Sequence, residues 1–312
     1  MSKASSNART ARFFHRLRAS TGLYLLLLPS FILVLIFAYR PMYGVVIAFK
    51  DFKPALGIAQ SPWAQPLIKH FLKFFNTYQF SLTLKNTLAL SFYSLLAGFP
   101  FPIAVALAIN QMRAKKFQLF YQTVSYLPHF ISTVVMVGLI ILWLSPGNGL
   151  IGQLYGIFNA KAPNLMGMKS AFSSVYVWSD IWQHTGWNSI IYFAALSSID
   201  PTLYEAATVD GASRWQKIRY IDLPLLMSTA MILLILSAGN IMNVAFEKVF
   251  LMQNQANLSA SEVISTYVYK TGITQTQYSY SAAVNFFNTL CNLSLLIAVN
   301  QVSKRLSNNS LW

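Results

Sequence analysis

Charged residues are scarce in this chain, at 10% of the sequence against about 25% in an ordinary soluble domain. Acidic residues are the scarcest, with 8 Asp and Glu against 23 Lys and Arg. A soluble protein of 312 residues needs a larger polar surface than this composition can supply. The shortage of charge therefore excludes a water-soluble single domain.

Cysteine is nearly absent too, because Cys291 is the only one. With a single thiol, an internal disulfide and a multi-cysteine metal site are both impossible. The 4 histidines lack metal-ligand spacing, and neither a G-x-x-x-x-G-K phosphate loop nor a G-x-S-x-G nucleophile element occurs. The sequence thus predicts that this chain is not an enzyme and holds no metal and no cofactor of its own.

Apolar residues are in excess: 55% of the chain is hydrophobic and 15% is aromatic. Disordered chains are poor in such residues, so disorder is excluded. The net charge of +15 would suit either nucleic acid or anionic lipid, but a nucleic-acid platform needs polar surface that is lacking here. These numbers predict a polytopic membrane protein that contacts lipid and binds no nucleic acid.

Apolar runs of about 20 residues are long enough to cross the hydrocarbon core as helices. Six are present, at about 22–39, 87–109, 122–144, 175–197, 225–246 and 283–302. Asp180 and His184 interrupt the fourth run. The first run follows basic residues, as in a secretory signal peptide, but it is long for one and no small-x-small cleavage site follows it. We therefore expect six retained spans.

Basic residues in short loops favour the cytoplasmic side of the membrane. The N-terminal tail and the short 110–121 loop are basic, so both termini are expected in the cytoplasm. Three loops then face outward, at about 40–86, 145–174 and 247–282. The chain divides accordingly into a cytoplasmic tail, a transmembrane domain and a second cytoplasmic tail, at 1–21, 22–302 and 303–312.

The connector between the fourth and fifth runs has the most specific pattern, LYEAATVDGASRWQKIRYIDLP at 203–224. Asp200 is a suitable N-cap, and Pro201 follows at the first helical position, where its missing N–H is not needed. A short helix is therefore expected to run to about Asp210.

A second short helix is expected after a glycine turn. Gly211 can adopt the left-handed conformation that ends a helix, and Ser213 with Gln216 has the spacing of a capping box. Pro224 is expected to close the unit and lead into the fifth span. The connector is thus predicted as a helix–turn–helix on the membrane surface, and an amphipathic connector lying on lipid is the alternative.

Three parts of this connector are family signatures: Glu-Ala-Ala, Asp-Gly-Ala and Ile-x-Leu-Pro. At their spacing, the connector closely resembles the EAA loop of permease subunits in ABC-type importers. In that family the loop is the coupling helix, which docks in a cleft of the ATP-binding subunit. The resemblance assigns ATPase coupling to Glu205, Ala206, Ala207, Asp210, Gly211, Leu223 and Pro224. Ser228 departs from the pattern, since many relatives have proline there, and this leaves the start of the fifth span open.

The resemblance implies a fold and a set of partners. The fold would be the all-α type I ABC importer permease fold with six transmembrane helices, in the bacterial cytoplasmic (inner) membrane. The partners would be a second homologous permease, two ATP-binding subunits and an extracytoplasmic solute-binding protein. ATP and Mg²⁺ would bind in the partner ATPase subunits.

Other segments resemble the branch of sugar permeases that imports complex oligosaccharides. They are 39–44, 48–52, 126–130, 266–270 and the terminal 311–312. Within that branch, the chain looks like the first permease subunit of an alginate-oligosaccharide importer. The substrate that the resemblance implies is therefore an acidic, alginate-like oligosaccharide.

Polar side chains inside spans are costly and usually face a cavity or another helix. In the fourth span, Asp180, His184 and Asn188 recur at a spacing of four and share one helical face. The fifth and sixth spans have a similar set of asparagines: Asn240, Asn243, Asn285, Asn288 and Asn292. These polar faces are candidates for the substrate pathway, and hydrogen bonding between helices is the alternative.

Tryptophans in the fourth span leave a similar choice open. Trp178, Trp182 and Trp187 could stack on sugar rings, or they could form an aromatic belt at the membrane interface. For the whole protein, the main alternative function is a self-sufficient secondary transporter or channel. That class favours internal repeats or paired broken helices, which the sequence does not show, and it leaves the connector unexplained.

Overall fold

The computed structural model describes residues 20–112, 114–239, 241–242 and 246–307. Over these residues the chain is helical, with an isolated bridge between Lys50 and Trp63 and no β-strand. The all-α prediction is confirmed. Most of the predicted N-terminal tail and the last five residues lie outside the described part of the chain.

Six long helical segments correspond to the six predicted spans, and we number them helix 1 to helix 6. Their bounds are Thr21–Phe49, Tyr78–Asn110, the pair Lys115–Phe130 and Thr133–Trp143, Lys169–Ser197, Arg214–Ala238 and Tyr278–Ser307. Helices 1, 2, 5 and 6 are long and apolar enough to cross a membrane, and the pair in helix 3 makes a fifth candidate. Helix 4 has 29 residues, or about 43 Å, but its polar side chains lower its hydropathy and it is not among these candidates. The described residues therefore give up to five of the six predicted spans.

Shorter helices lie in the connecting segments, including those predicted as outer loops. They are Gly57–Gln60, Lys69–Phe75, Leu150–Ile157, Pro201–Val209, Phe246–Met252, Leu258–Ser261 and Ile264–Tyr269.

Several predicted span ends are wrong. Helix 1 continues past residue 39 to Phe49, and helix 2 begins at Tyr78 rather than at 87. Helix 5 ends at Ala238 rather than at 246. An apolar run shows only which residues match the hydrocarbon core. Helices 1 and 2 extend beyond their runs into flanking sequence, whereas helix 5 stops within its run.

Helix 3 is broken, although the run 122–144 was predicted as one span. Its first half ends in a 3₁₀ turn, Leu127–Phe130, and Thr133–Trp143 departs at an angle of 94°. Pro128 contributes to the break because it lacks the N–H that a continuous helix requires. His129, Ser132 and Thr133 lie at the break, but the two halves together are apolar enough for one span, so the mean hydropathy does not reveal it.

Polar groups at the break find partners nearby. The Ser132 side chain caps the second half by accepting from the Val135 amide. The Ile131 carbonyl accepts a hydrogen bond of 2.8 Å from Nε2 of Gln183 in helix 4. A membrane supplies no water for such groups, so this pairing is what allows irregular backbone at this place.

Helix 4 is at the centre of the fold and packs against helices 2, 3 and 5. Its N-terminal half belongs to a buried cluster of Leu90, Val137, Phe172, Tyr176, Val177, Ile181, Val249, Met252 and Val263. Its C-terminal half belongs to a second cluster of Ala106, Tyr192, Leu196, Leu226 and Ala230. Helix 4 therefore joins the two ends of the molecule through one continuous packed element.

Helix 1 differs from the others because it has no buried residue from Thr21 to Met42. Leu26 is 79% exposed and Phe37 is 73% exposed. The chain meets the rest of the fold at the following 3₁₀ turn, Tyr43–Phe49, which packs against helix 6. Lipid or another subunit must cover the apolar surface of helix 1.

The backbones of helices 3 and 4 come into close contact at Gly186. A Cβ atom at this position would overlap the backbone carbonyl of Ser125, so the contact requires glycine. The contact fixes the first half of helix 3 against helix 4 just before the break.

We predict that Gly186→Ala lowers the stability of the folded protein by about 1–3 kcal/mol, because backbone rather than a flexible side chain must move. Thermal unfolding of the purified protein in mild detergent measures the effect. Gly138→Ala is the matched control, since a Cβ atom at Gly138 meets nothing within 4 Å. Equal unfolding midpoints for the two variants would show that the helix 3–helix 4 contact is not tight.

Candidate functional site

We call residues 200–224, the connector between helices 4 and 5, the coupling loop after the family that it resembles, and its helix Pro201–Val209 the coupling helix. The first half of this loop folds as predicted. Asp200 caps the helix Pro201–Val209, and its side chain accepts a hydrogen bond of 2.9 Å from the Thr202 amide. Gly211 has a φ of +75°, the left-handed conformation expected of the turn.

The second half departs from the prediction at Pro224. The capping box of Ser213 and Gln216 forms as expected, but the helix it begins does not close at Pro224. Instead, it continues through a π-helical turn, Ile218–Asp222, into the remainder of helix 5. The wider π turn leaves room for the ring of Pro224, two residues after the turn ends. The coupling loop is thus continuous with helix 5.

Most of the residues assigned to ATPase coupling lie on the surface. Exposed members are Glu205, Ala206, Asp210, Gly211, Leu223 and Pro224, whereas Ala207 is half-buried. Two bulky apolar side chains beside them were missed: Val209 is 89% exposed and Trp215 is 80% exposed. Large apolar residues on both sides of a polar turn are the signal that could have identified them.

A buried carboxylate beneath the loop was also missed. Asp222 has no exposed surface, and its Oδ2 accepts a hydrogen bond of 3.0 Å from Nε2 of Gln111 at the end of helix 2. Its Oδ1 accepts a hydrogen bond from the Tyr204 hydroxyl of the coupling loop. Burial, followed by this bond, raises the pKa of Tyr204, so the phenol keeps its proton and stays a donor.

A cavity of about 530 Å³ lies between helices 2, 4 and 5. Its polar lining consists of Ser91, Ser94, Asp180, His184, Thr185, Asn188 and Ser237. The predicted shared face of Asp180, His184 and Asn188 is confirmed, and this face lines the cavity.

The other predicted asparagines are distributed differently. Asn292 bonds helix 6 to the end of helix 5, because its Oδ1 accepts from the Met242 amide at 3.2 Å, as the alternative of interhelical bonding predicts. Asn288 is 5% exposed and Asn285 is exposed, and neither lines this cavity. Asn240 and Asn243 lie outside the described residues.

The serines were missed because they look like small packing residues in an apolar run. Ser91 and Ser94 are three residues apart, so they share a face of helix 2. Ser91 is 6% exposed, and neither hydroxyl has a hydrogen-bond partner among the described residues. Buried hydroxyls normally have a partner, so these two are available to a molecule in the cavity.

An ion pair between a buried lysine and a partly exposed aspartate lies beside the cavity. Nζ of Lys248 lies 3.1 Å from Oδ1 of Asp180, and the lysine side chain is 3% exposed. The lysine also lies over the ring of Tyr176, 5.0 Å from its centre. Because the two charges offset each other, this wall of the cavity has no net charge.

A second polar contact connects the cavity to the break in helix 3. Nδ1 of His184 lies 3.1 Å from Nδ1 of His129, which is part of the broken segment. His129 stacks on Trp187 with ring centres 4.4 Å apart. Trp187 therefore packs against the chain's own histidine.

Comparisons with known proteins agree with this architecture. Residues 98–308 match the family described as the binding-protein-dependent transport system inner membrane component. The chain is 41% identical over 290 residues to the polygalacturonan/rhamnogalacturonan transport system permease protein YteP of Bacillus subtilis (strain 168), covering 93% of this chain and 90% of YteP. It is 38% identical over 296 residues to protein LplB of the same organism, covering 95% of this chain and 92% of LplB.

Solved structures give the same result. A crystal structure of a bacterial ABC transporter involved in the import of the acidic polysaccharide alginate matches with a TM-score of 0.87 at 38% identity, covering 95% of this chain and 99% of that one. A bacterial alginate ABC transporter in complex with an alginate pentasaccharide-bound periplasmic protein matches with a TM-score of 0.87 at 37% identity, covering 96% of this chain and 100% of that one. The chain therefore belongs to the family of binding-protein-dependent transport system inner membrane components.

Proposed function

We propose that this chain forms half of the translocation pathway of an ATP-driven importer for acidic, alginate-like oligosaccharides. The observation that carries the proposal is the coupling loop, which exposes Glu205 and Ala206 on a capped helix and leads through the turn at Gly211 into helix 5. Helix 5 reaches the cavity through Leu233 and Ser237. A displacement of the loop would therefore be transmitted along helix 5 to the cavity wall.

The substrate class is supported by the relatives and by the distribution of charge. Two of the similar proteins are named for polygalacturonan or alginate. In this chain, exposed lysines lie in the segments expected outside the membrane: Lys53, Lys85, Lys161 and Lys169. These outer lysines would attract an anionic sugar to the outer face of the protein. The neutral, hydroxyl-rich cavity would then bind the hydroxyl groups of the sugar.

The partners we propose are a second homologous permease, two ATP-binding subunits and an extracytoplasmic solute-binding protein. The uncovered helix 1 supports the second permease, because a neighbouring subunit would bury its apolar surface. ATP and Mg²⁺ would bind in the ATP-binding subunits, since this chain has no phosphate loop of its own. One similar transporter was solved with a substrate-bound periplasmic protein, which supports the solute-binding partner.

The orientation we propose follows from the loop. An ATP-binding subunit lies in the cytoplasm, so the coupling loop between helices 4 and 5 must lie there too. With four spans before it and two after it, both termini are then cytoplasmic, and residues 22–302 form the transmembrane domain between two short tails.

Affinity purification of the tagged protein in mild detergent, followed by mass spectrometry, tests the assembly. We expect a second permease and an ATP-binding subunit in stoichiometric amounts. Recovery of the chain alone, under conditions that preserve other ABC importers, would favour a self-sufficient transporter and contradict the proposal.

We predict that Glu205→Ala reduces oligosaccharide uptake at least about fivefold, because an exposed carboxylate that pairs with the ATP-binding subunit is lost. Uptake into membrane vesicles measures the effect, and co-purification of the ATP-binding subunit should fall in parallel. Glu247→Ala is the control, since Glu247 is an exposed carboxylate beyond helix 5. Wild-type uptake by Glu205→Ala would show that this carboxylate does not contribute to binding the ATP-binding subunit.

We predict that Ser91→Ala raises the KM for oligosaccharide about fivefold, with an unchanged unfolding midpoint. The Ser91 hydroxyl has no intramolecular partner to lose, so an effect on transport would report a contact with substrate. Ser189→Ala is the control, because the fully buried Ser189 donates to the Gly186 carbonyl at 2.6 Å and does not line the cavity. A normal KM for Ser91→Ala would exclude this wall from the pathway.

A further inference from the structure

Asp222 connects three elements that are far apart in the sequence. Its two carboxylate oxygens bind one donor each, Tyr204 from the coupling helix and Gln111 from the end of helix 2. Asp222 itself is the last residue of the π turn that leads into the remainder of helix 5. The bonds span 18 and 111 positions of sequence, so they are tertiary contacts rather than caps.

The burial of this carboxylate requires a reason. A fully buried carboxylate is costly unless its oxygens are hydrogen-bonded, and here both oxygens are. An apolar residue would fill the same space without that requirement. A charged acceptor, however, forms stronger and better-directed bonds than a neutral one, and it binds two donors from different elements at once.

Each element joined at Asp222 leads to the cavity or to the exposed face of the coupling helix around Glu205. We call this exposed face the docking surface. Helix 2, which ends beside Gln111, lines the cavity through Phe99 and Pro102. Helix 5 begins its apolar part at Leu223 and lines the cavity further along. Tyr204 is next in sequence to Glu205 on the exposed face.

A second bond holds the other end of the coupling helix. Nζ of Lys217 donates to Oγ1 of Thr208 at 2.6 Å, and both residues belong to the loop itself. This bond fixes the loop internally but makes no contact with helix 2. The bonds to Asp222 thus join the coupling helix to helix 2 as well as to helix 5.

We propose that Asp222 is a positioning residue that makes the coupling helix move as one body with helices 2 and 5, so that a displacement caused by ATP hydrolysis reaches the cavity. The inference rests on the proposed function. It adds a specific transmission point beneath the coupling loop, at a carboxylate that has no exposed surface.

The test uses the complete transporter, reconstituted with its binding protein and an alginate oligosaccharide as the probe. The readout is the number of ATP molecules hydrolysed per oligosaccharide imported, which a general loss of stability would not alter. Tyr204→Phe removes one hydroxyl, and we expect it to raise this ratio about fivefold while assembly stays normal. Tyr220→Phe is the control, because Tyr220 is 67% exposed on the same turn as Asp222.

Variants at Asp222 provide a second, independent measurement. Asp222→Ala removes both bonds and should raise the ratio most. In Asp222→Asn, a turned Gln111 amide can restore both bonds without the charge, so the ratio should fall between those of wild type and Asp222→Ala. The double variant Asp222→Ala/Tyr204→Phe should be no worse than Asp222→Ala, because both changes remove the same bond.

Two results would overturn the inference. One is a wild-type ratio in Tyr204→Phe, and the other is independent, additive effects in the double variant. A wild-type complex whose ATP hydrolysis does not depend on the loaded binding protein would instead contradict the proposed function itself, and the inference with it.

Discussion

The lack of water in the membrane interior is the constraint on which this structure depends. A broken helix can exist there only when protein groups replace the missing water, and helix 4 supplies them to helix 3 through Gln183 and His184. Gly186 lets the two backbones meet at the same level. Helix 4 accordingly has many polar side chains, although it is the central helix. Some of its polar residues bond to helix 3, as Gln183 does, and others, such as Asn188, line the cavity.

The cavity and the coupling loop are linked by short physical paths. Helix 5 runs from the loop to the cavity without a break, and helix 2 reaches Asp222 at one end and the cavity along its length. Three helices therefore surround a neutral, hydroxyl-bearing space, and two of them are fixed to the helix that would receive force from an ATP-binding subunit. Under the proposed function, a movement at the membrane surface would therefore change the shape of the cavity.

Local features were predictable from the sequence because they depend on neighbours within a few residues. Asp200, Gly211 and the capping box of Ser213 and Gln216 all take the predicted conformation, and the spacing of Asp180, His184 and Asn188 placed them on one face. The break at Pro128 was not predicted, because a hydropathy average over the whole run conceals the few polar residues beside it. The role of Asp222 was not predicted, because it depends on a hydrogen bond to Gln111, which lies near Asp222 only in the folded chain. Ser91 is indistinguishable in sequence from a serine that packs against a helix.

The ion pair between Lys248 and Asp180 has an energetic consequence for the cargo. Since the described cavity wall has no net charge, an acidic oligosaccharide would cross without a counter-charge supplied by that wall. Each carboxylate that crosses would also move against a membrane potential that is negative inside, and the fixed charges of the wall do not alter that work. That work is about 2.3 kcal/mol per charge for each 100 mV. Import of a longer acidic chain would therefore draw increasingly on the free energy of ATP hydrolysis, and the membrane potential would set a practical limit to the number of carboxylates carried per cycle.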